Sequence, residues 1–142
     1  MASKENTKVL DKLNNLLEFE ISGVTRYLHY SFMVFGPNRI PITGWLRAQA
    51  TDGLDHATQL GEWITALNGH PTLKVRATPE GNKHDTKSIL TEALVFEKQG
   101  LEVYYELLEM VKDGNVALEE WVRGQIVQEQ EHVYEIEKML RT

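Results

Sequence analysis

Apolar residues recur at steps of three and four along most of the chain, which is the spacing of helices that bury one stripe of their surface. No segment shows the two-residue alternation that is typical of a β-strand. Breaks rich in Pro, Gly and Asn divide the pattern into four segments. The sequence therefore predicts an all-α fold, an antiparallel four-helix bundle that forms a single domain over residues 1–142.

The first helix is predicted at about residues 7–34, before Gly36 and Pro37. The second begins near Thr43 and closes at Asn68-Gly69, because these residues tolerate left-handed backbone. The predicted buried stripes are Leu10, Leu13, Leu17, Val24, Tyr27 and Ser31 on the first helix, and Leu46, Leu60, Trp63 and Leu67 on the second.

The third helix is capped by Asp85 or Thr86 and continues to Asp113-Gly114, and Asn115 caps the fourth. The short connection between them predicts antiparallel neighbours. Helices two and three are separated by a longer connection with a loop at residues 73–84, so we expect two helical hairpins joined by a crossover. The predicted buried stripe of the third helix consists of Leu90, Leu94, Leu101, Tyr104 and Leu108. That of the fourth helix consists of Leu118, Val122, Ile126, Val133, Ile136 and Leu140.

Charged residues interrupt these stripes at corresponding positions. Steps of seven residues keep one face of a packed helix. On helix one they pass through Glu20 and then Tyr27, and on helix three through Glu97 and then Tyr104. The two hairpins therefore share one plan, with an inward Glu followed two turns later by a Tyr.

The second helix of each hairpin adds histidine. Glu129 and His132 stand three residues apart and so share the inward face of helix four. His56 takes the equivalent place on helix two, but Gly53 stands where a matching Glu would be. A buried, unpaired carboxylate costs several kcal/mol, so a cluster of three Glu and two His predicts a bound metal ion.

Composition restricts the chemistry of that metal site. The chain has no cysteine, so its ligands are carboxylates and imidazoles, which suit Fe, Mn or Zn. The net charge is −6 without a basic cluster, which argues against a nucleic-acid partner. No apolar run approaches the ~18 residues of a membrane span, and the amino terminus lacks the apolar stretch of a signal peptide. We therefore expect a cytoplasmic protein without a membrane partner.

Four segments of the chain resemble the bacterioferritin family: residues 20–27, 56–73, 97–100 and 129–132. Ferritin-like di-metal bundles use one Glu from each of two helices and Glu-x-x-His from each of the others, and this chain shows that set less one carboxylate. The resemblance implies a ferritin-like bundle that oxidises Fe(II) with dioxygen or peroxide and serves iron homeostasis.

The resemblance implies two iron ions per chain. Glu20 and His56 would hold one ion, Glu97 and His132 the other, and Glu129 would bridge them. Tyr27 and Tyr104 are expected to donate hydrogen bonds to ligand carboxylates across the bundle.

The chain departs from the family at three places. Gly53 replaces a bridging carboxylate, and Asp52 is the candidate to substitute for it. Leu54 replaces the haem-ligating Met, so no haem is expected. Only ten residues follow His132, which leaves no room for the fifth helix of the family's 24-subunit cage. A two-fold homodimer is the simplest expectation, with a twelve-subunit shell as an alternative.

Two other functions fit the same residues. One is a small oxidase or oxygenase that uses one or two metal ions on an organic substrate, which would enter beside Gly53. The other is a non-enzymatic, metal-binding helical dimer. The sequence is compatible with one bound ion or two, and the metal can be iron, manganese or zinc.

Overall fold

The computed structural model describes residues 4–141, apart from the side chain of Glu5. It contains four helices and no strand in this part of the chain: α1 at Lys4–Met33, α2 at Arg39–Ala66, α3 at Thr86–Val111 and α4 at Val116–Leu140. The predicted all-α four-helix fold is therefore confirmed. Residues 1–3 and Thr142, which the predicted domain includes, lie outside the described residues.

Two helix starts differ from the prediction. Helix α2 begins at Arg39 and not near Thr43, so Pro41 lies in its first turn. A proline is tolerated there, because the N–H groups of a first turn have no partner within the helix. Helix α1 begins at Lys4, three residues before Thr7.

The predicted caps are present. The side-chain oxygens of Asp85 and Asn115 each accept a hydrogen bond, of 3.0 Å, from the backbone N–H three residues later. After α2 and α3, Asn68 and Asp113 adopt left-handed backbone with φ of 65° and 59°. Polar turn residues therefore end and restart the helices where the sequence indicates.

The four helices form two hairpins. Helix α1 packs most extensively against α2, α3 packs against α4, and α1 also packs against α3. Lys12 contacts Glu106 at 2.6 Å, whereas Tyr30 contacts Glu92 at 3.1 Å, so α1 and α3 are antiparallel. Because α1 is antiparallel to α2 as well, α2 and α3 are parallel, and their connection must run the length of the bundle.

The long connection lies along α1. Near its start, the backbone N–H of Thr72 donates to Oδ1 of Asn14 at 2.8 Å. At its end, Nδ1 of His84 lies 2.9 Å from the carbonyl oxygen of Met33. The predicted crossover between helices two and three is confirmed. Within residues 4–141 none of the helices has the length and apolar character of a membrane span.

Two hydrophobic clusters fill the bundle, one toward each end. The predicted stripes supply much of both clusters, but Leu94, Leu101 and Leu108 of α3 are only half-buried. Phe96 and Leu107 are buried instead. Helix α3 packs against both α1 and α4, so its buried face is wider than a single stripe.

Candidate metal centre

A layer of charged side chains lies between the two clusters. Glu20, His56, Glu97 and Glu129 come from four different helices, and each is at most 5% exposed. His132 follows Glu129 by one turn on α4, and its side chain is 16% exposed. The structure thus brings together the five side chains that the sequence pattern pointed inward.

These side chains form two groups that share one member. Ligand atoms of Glu20, His56 and Glu129 lie within 4.8 Å of one another, and so do ligand atoms of Glu97, Glu129 and His132. Glu129 therefore stands between two places where a cation could sit.

The two histidine rings are oriented alike. Nε2 of His56 lies 2.8 Å from Oε1 of Gln128, while its Nδ1 lies 3.7 Å from Oε1 of Glu20. Nε2 of His132 lies 3.7 Å from Oδ2 of Asp52, while its Nδ1 is buried without a hydrogen-bond partner. Each ring therefore directs Nδ1 into the cluster and Nε2 outward, where a polar side chain of the other helix faces it.

This reciprocal arrangement has a signal in the sequence that the pattern analysis missed. Asp52 precedes His56 by four residues, and Gln128 precedes His132 by four residues. Each polar residue faces the histidine of the opposite helix. The Asp52 side chain is 51% exposed and lies outside both groups of ligand atoms, on the outer side of His132.

Two buried tyrosines hold the carboxylates. The hydroxyl of Tyr104 donates to Oε1 of Glu20 at 2.9 Å, and the hydroxyl of Tyr27 donates to Oε1 of Glu97. Burial raises the pKa of both tyrosines well above the ordinary value, so both remain protonated donors at neutral pH. The hydrogen bonds expected from the sequence are present.

The cluster carries more negative charge than it can neutralise by itself. Burial raises the pKa of Glu20, and burial together with the neighbouring Glu97 raises that of Glu129 well above its ordinary value. Burial acts to lower the pKa of His56, but the adjacent Glu20 carboxylate outweighs it and raises that pKa to about 9. Oε2 of Glu129 is buried and has no hydrogen-bond partner among residues 4–141. A bound cation would relieve these costs.

Little space is left beside Gly53. A Cβ added there would lie 3.2 Å from Cγ2 of Val24 and 3.7 Å from Oε2 of Glu20. The cavity among the cluster residues is about 10 Å³. That volume is close to the minimum for a single water molecule.

Two phenylalanines that the sequence analysis did not single out form one wall of this cavity. Phe19 and Phe96 stack face to face with ring centroids 4.2 Å apart. Each directly precedes a cluster carboxylate, Glu20 or Glu97. The Phe-Glu pair occurs in both α1 and α3, and this repeat in the sequence could have pointed to the two phenylalanines.

The fold and the cluster define an all-α protein with a buried carboxylate–histidine centre to which all four helices of the bundle contribute. The family model of the ferritin-like domain matches residues 10–142. The chain therefore belongs to the ferritin-like family. A comparison with curated protein sequences finds no match.

Solved structures agree with this assignment. A ferritin-like diiron-carboxylate protein from Bacillus anthracis is 24% identical with a TM-score of 0.92, covering 99% of this chain and 100% of that one. The Desulfovibrio desulfuricans bacterioferritin is 21% identical with a TM-score of 0.85, over 99% and 83% of the two chains. A dodecameric, bacterioferritin-related thioferritin from Bacteroides fragilis is 20% identical with a TM-score of 0.87, over 95% and 85%. These likenesses establish the ferritin-like fold.

Proposed function

We propose that this protein is a bacterioferritin-like ferroxidase, which binds Fe(II) at the carboxylate–histidine cluster and oxidises it with dioxygen or peroxide in iron homeostasis. The observation that carries the proposal is the position of Glu129. It is the one carboxylate common to two groups whose ligand atoms lie within 4.8 Å of one another.

The donor set suits iron. Three carboxylates and two imidazole Nδ1 atoms converge in a cavity that holds no positively charged Lys or Arg among its lining residues. Unpartnered buried atoms on Glu129 and His132 face the same space. Oxygen and nitrogen donors fit iron, and they also fit manganese or zinc.

We assign Glu20 and His56 to one ion, Glu97 and His132 to the second, and Glu129 to both. Fe(II) bound there would give one electron to dioxygen or peroxide, and the carboxylates would favour this oxidation because their negative charge stabilises Fe(III) over Fe(II). The neighbouring side chains of the protein hold these ligands in place.

Ligand orientation would come from hydrogen bonds and an ion-pair contact around the cluster. Tyr104 holds Glu20 and Gln128 faces His56, so the first ion's ligands have fixed positions. Asp52 faces Nε2 of His132 and keeps Nδ1 directed inward. Such outer contacts orient metal-binding histidines in general. We therefore assign Asp52 as an orienting residue and not as a replacement ligand.

The size of the cavity favours iron as the substrate over an organic molecule. About 10 Å³ beside Gly53 admits roughly one water-sized ligand. The oxygenase alternative needs room for a substrate next to the metal ions, and the cluster does not provide it.

We further propose that the protein forms a homo-oligomer, with a two-fold dimer as the smallest unit. Leu28 and Phe32 of α1 are 40% and 60% exposed, and Leu54 of α2 is 55% exposed. Burial of such residues against a second copy would be favourable. Leu54 lies at the family's haem position and offers no metal ligand, so we also propose that the protein binds no haem. Light scattering during size-exclusion chromatography tests the assembly.

Anaerobic titration of the metal-free protein with Fe(II), followed by air or peroxide, tests the central proposal. We expect two Fe(II) per chain and ferric absorbance that forms faster than in buffer. Glu129→Gln should abolish both effects, whereas Glu131→Gln should change neither, because Glu131 is exposed on the same helix. Iron that binds without accelerated oxidation would overturn the ferroxidase proposal.

A further inference from the structure

A second cavity lies between the long connection and helices α1 and α3. We call it the crossover cavity, and its volume is about 440 Å³. Small-molecule sites in proteins commonly have volumes of this order. Its charged and amide side chains come from α1, from the connection and from α3: Arg26, Arg76, Glu80, Glu92 and Gln99. None of the five cluster side chains lines it, so the crossover cavity is separate from the candidate metal centre.

Both arginines of the crossover cavity lack an acidic partner. Within the described residues, neither Arg26 nor Arg76 forms an ion pair with a carboxylate. Nη1 of Arg26 donates to the Tyr30 hydroxyl at 2.9 Å, whereas its Nε is buried without a hydrogen-bond partner in residues 4–141. Nη2 of Arg76 lies 3.5 Å from Oδ1 of Asn15. Both guanidinium groups therefore keep donors that a bound anion could use.

The guanidinium of Arg26 is held in position by its neighbours. Its Cζ lies 5.0 Å from the centroid of the Phe96 ring and 5.9 Å from that of the Tyr30 ring. Both distances lie within the range of an attractive cation–π contact. A guanidinium that is already in place loses little conformational freedom when an anion binds to it. Arg26 is therefore the better anchor of the two arginines.

The two carboxylates of the crossover cavity already have partners. Oε1 of Glu80 lies 3.1 Å from Nε2 of His29, and Oε2 of Glu92 accepts a hydrogen bond of 3.1 Å from the Tyr30 hydroxyl. Oε1 of Glu92 packs so closely against the connection that a Cβ added at Gly81 would overlap it. Two arginines and two glutamates give the lining no net charge. The second negative charge of a dianion would gain no net attraction there, so the cavity favours a monoanion.

Apolar groups complete the lining of the crossover cavity. Ala77 and Pro79 line it from the connection, and Val95, which is 56% exposed, lines it from α3. Covering these groups with an apolar part of a ligand would be favourable. A small inorganic anion would leave them uncovered. The cavity therefore suits an organic molecule that has one acidic group and an apolar body.

We propose that the crossover cavity binds a small organic monocarboxylate, whose carboxylate contacts Arg26 and Arg76 and whose apolar part lies against Ala77, Pro79 and Val95. This inference goes beyond the proposed ferroxidase function and does not require bound iron.

Such a ligand would tie the long connection to the bundle. The connection is attached to α1 near its start, through Thr72, and at its end, through His84. Between these points, residues 75–83 form no backbone–backbone hydrogen bond within the described chain. Amides without such bonds exchange with solvent readily. A ligand held between Arg76 and Arg26 should therefore slow hydrogen exchange in this segment.

Calorimetric titration of the metal-free full chain with sodium benzoate tests the site. Metal-free protein is used because iron could bind a carboxylate directly. We expect one benzoate per chain. Arg26→Gln and Arg76→Gln should each weaken binding by about 10-fold or more, because each removes a charged donor. Arg123→Gln is the matched control, since Arg123 lies on α4, is 48% exposed in its side chain and pairs with Glu119. It should bind benzoate as the wild type does.

Hydrogen–deuterium exchange gives a second readout. Saturating benzoate should slow exchange in residues 76–81 of the wild type and of Arg123→Gln, but not of Arg76→Gln. Arg76 is exposed on the connection, so its replacement should not disturb folding, and thermal melts check each variant.

Three outcomes overturn the inference. The first is the absence of benzoate binding to the wild type. The second is binding that both Arg26→Gln and Arg76→Gln leave unchanged. The third is inorganic phosphate that binds as tightly as benzoate and depends on the same arginines, which would contradict the assignment to an organic monocarboxylate.

Discussion

At the scale of single residues, the chemistry of this protein depends on where each ring nitrogen and carboxylate oxygen points. The two histidine rings of the cluster have the same orientation. Nδ1 points inward in both, and Nε2 faces Gln128 in His56 and Asp52 in His132. Neither outer residue belongs to the two groups of ligand atoms. We propose that they orient the two rings, and the affinity of the cluster for metal would report this role.

Asp52→Ala should weaken metal binding by about 10–100-fold, the usual effect of losing an outer partner of a metal-binding histidine. The reason is that His132 would be free to rotate its Nδ1 away from the cluster. Calorimetric titration with Co(II) measures the affinity. Asp55→Ala is the control, since Asp55 is exposed on the same helix and contacts only Gln59 among the hydrogen bonds described. Equal affinities for the two variants would contradict the orienting role.

Metal binding should also release protons and strengthen as pH rises. A metal-binding imidazole must be neutral, yet the pKa of His56 in the metal-free protein is about 9, and burial raises the pKa of Glu129 as well. Below these pKa values protons compete with the metal, so affinity should increase from pH 6 toward about 9. Calorimetry in two buffers with different ionisation enthalpies counts the protons. A pH-independent affinity without proton release would show that His56 and Glu129 are already unprotonated before the metal binds.

At the scale of helices, the bundle depends on glycines at close contacts. The Phe19 ring lies against Gly100, where an added Cβ would be 2.5 Å from ring atoms Cε1 and Cζ. The Phe96 ring lies 2.9 Å from a Cβ added at Gly23. The two stacked rings thus fit between α1 and α3 because each opposing helix carries a glycine.

Gly100→Ala should therefore destabilise the protein by about 1–3 kcal/mol, the typical cost of overpacking a core. Gly124→Ala is the matched substitution, because no described atom lies within 4 Å of its added Cβ in helix α4. It should stabilise by about 0.5–1 kcal/mol, since alanine has the better helix propensity. Urea unfolding of the metal-free proteins measures both. If the two variants shift stability in the same direction, the Phe19 contact does not constrain the helices.

At the scale of the whole molecule, we expect the buried cluster to make stability depend on metal. Three carboxylates in the centre of the bundle oppose folding unless a cation neutralises them. The hydrophobic clusters on either side hold the four helices together and thereby hold the carboxylates near one another. Packing thus offsets the electrostatic cost of the metal-free centre.

Each bound metal ion should stabilise the wild type by about 2.7 kcal/mol when free metal is 100 times its Kd, the mass-action value for one site. Metal-free Glu129→Gln should be more stable than the metal-free wild type, because it removes a carboxyl group whose ionisation is opposed by burial and by Glu97, but it should gain little from metal. Calorimetric melts with Co(II) or EDTA test both statements. Glu131→Gln should match the wild type, and an equal metal-induced gain in Glu129→Gln would contradict the shared role of Glu129.

The sequence by itself determined the four helices, their caps and the heptad positions of Glu20 and Glu97, because helix periodicity and turn chemistry are local properties. It also placed His56 and the pair formed by Glu129 and His132 on inward faces. The tertiary structure decided what spacing within one helix cannot show. It set the outward contacts of the two histidines, including the place of Asp52 outside the ligand groups. It also set the tight space beside Gly53. These features depend on the relative rotation of helices that meet only when the bundle packs.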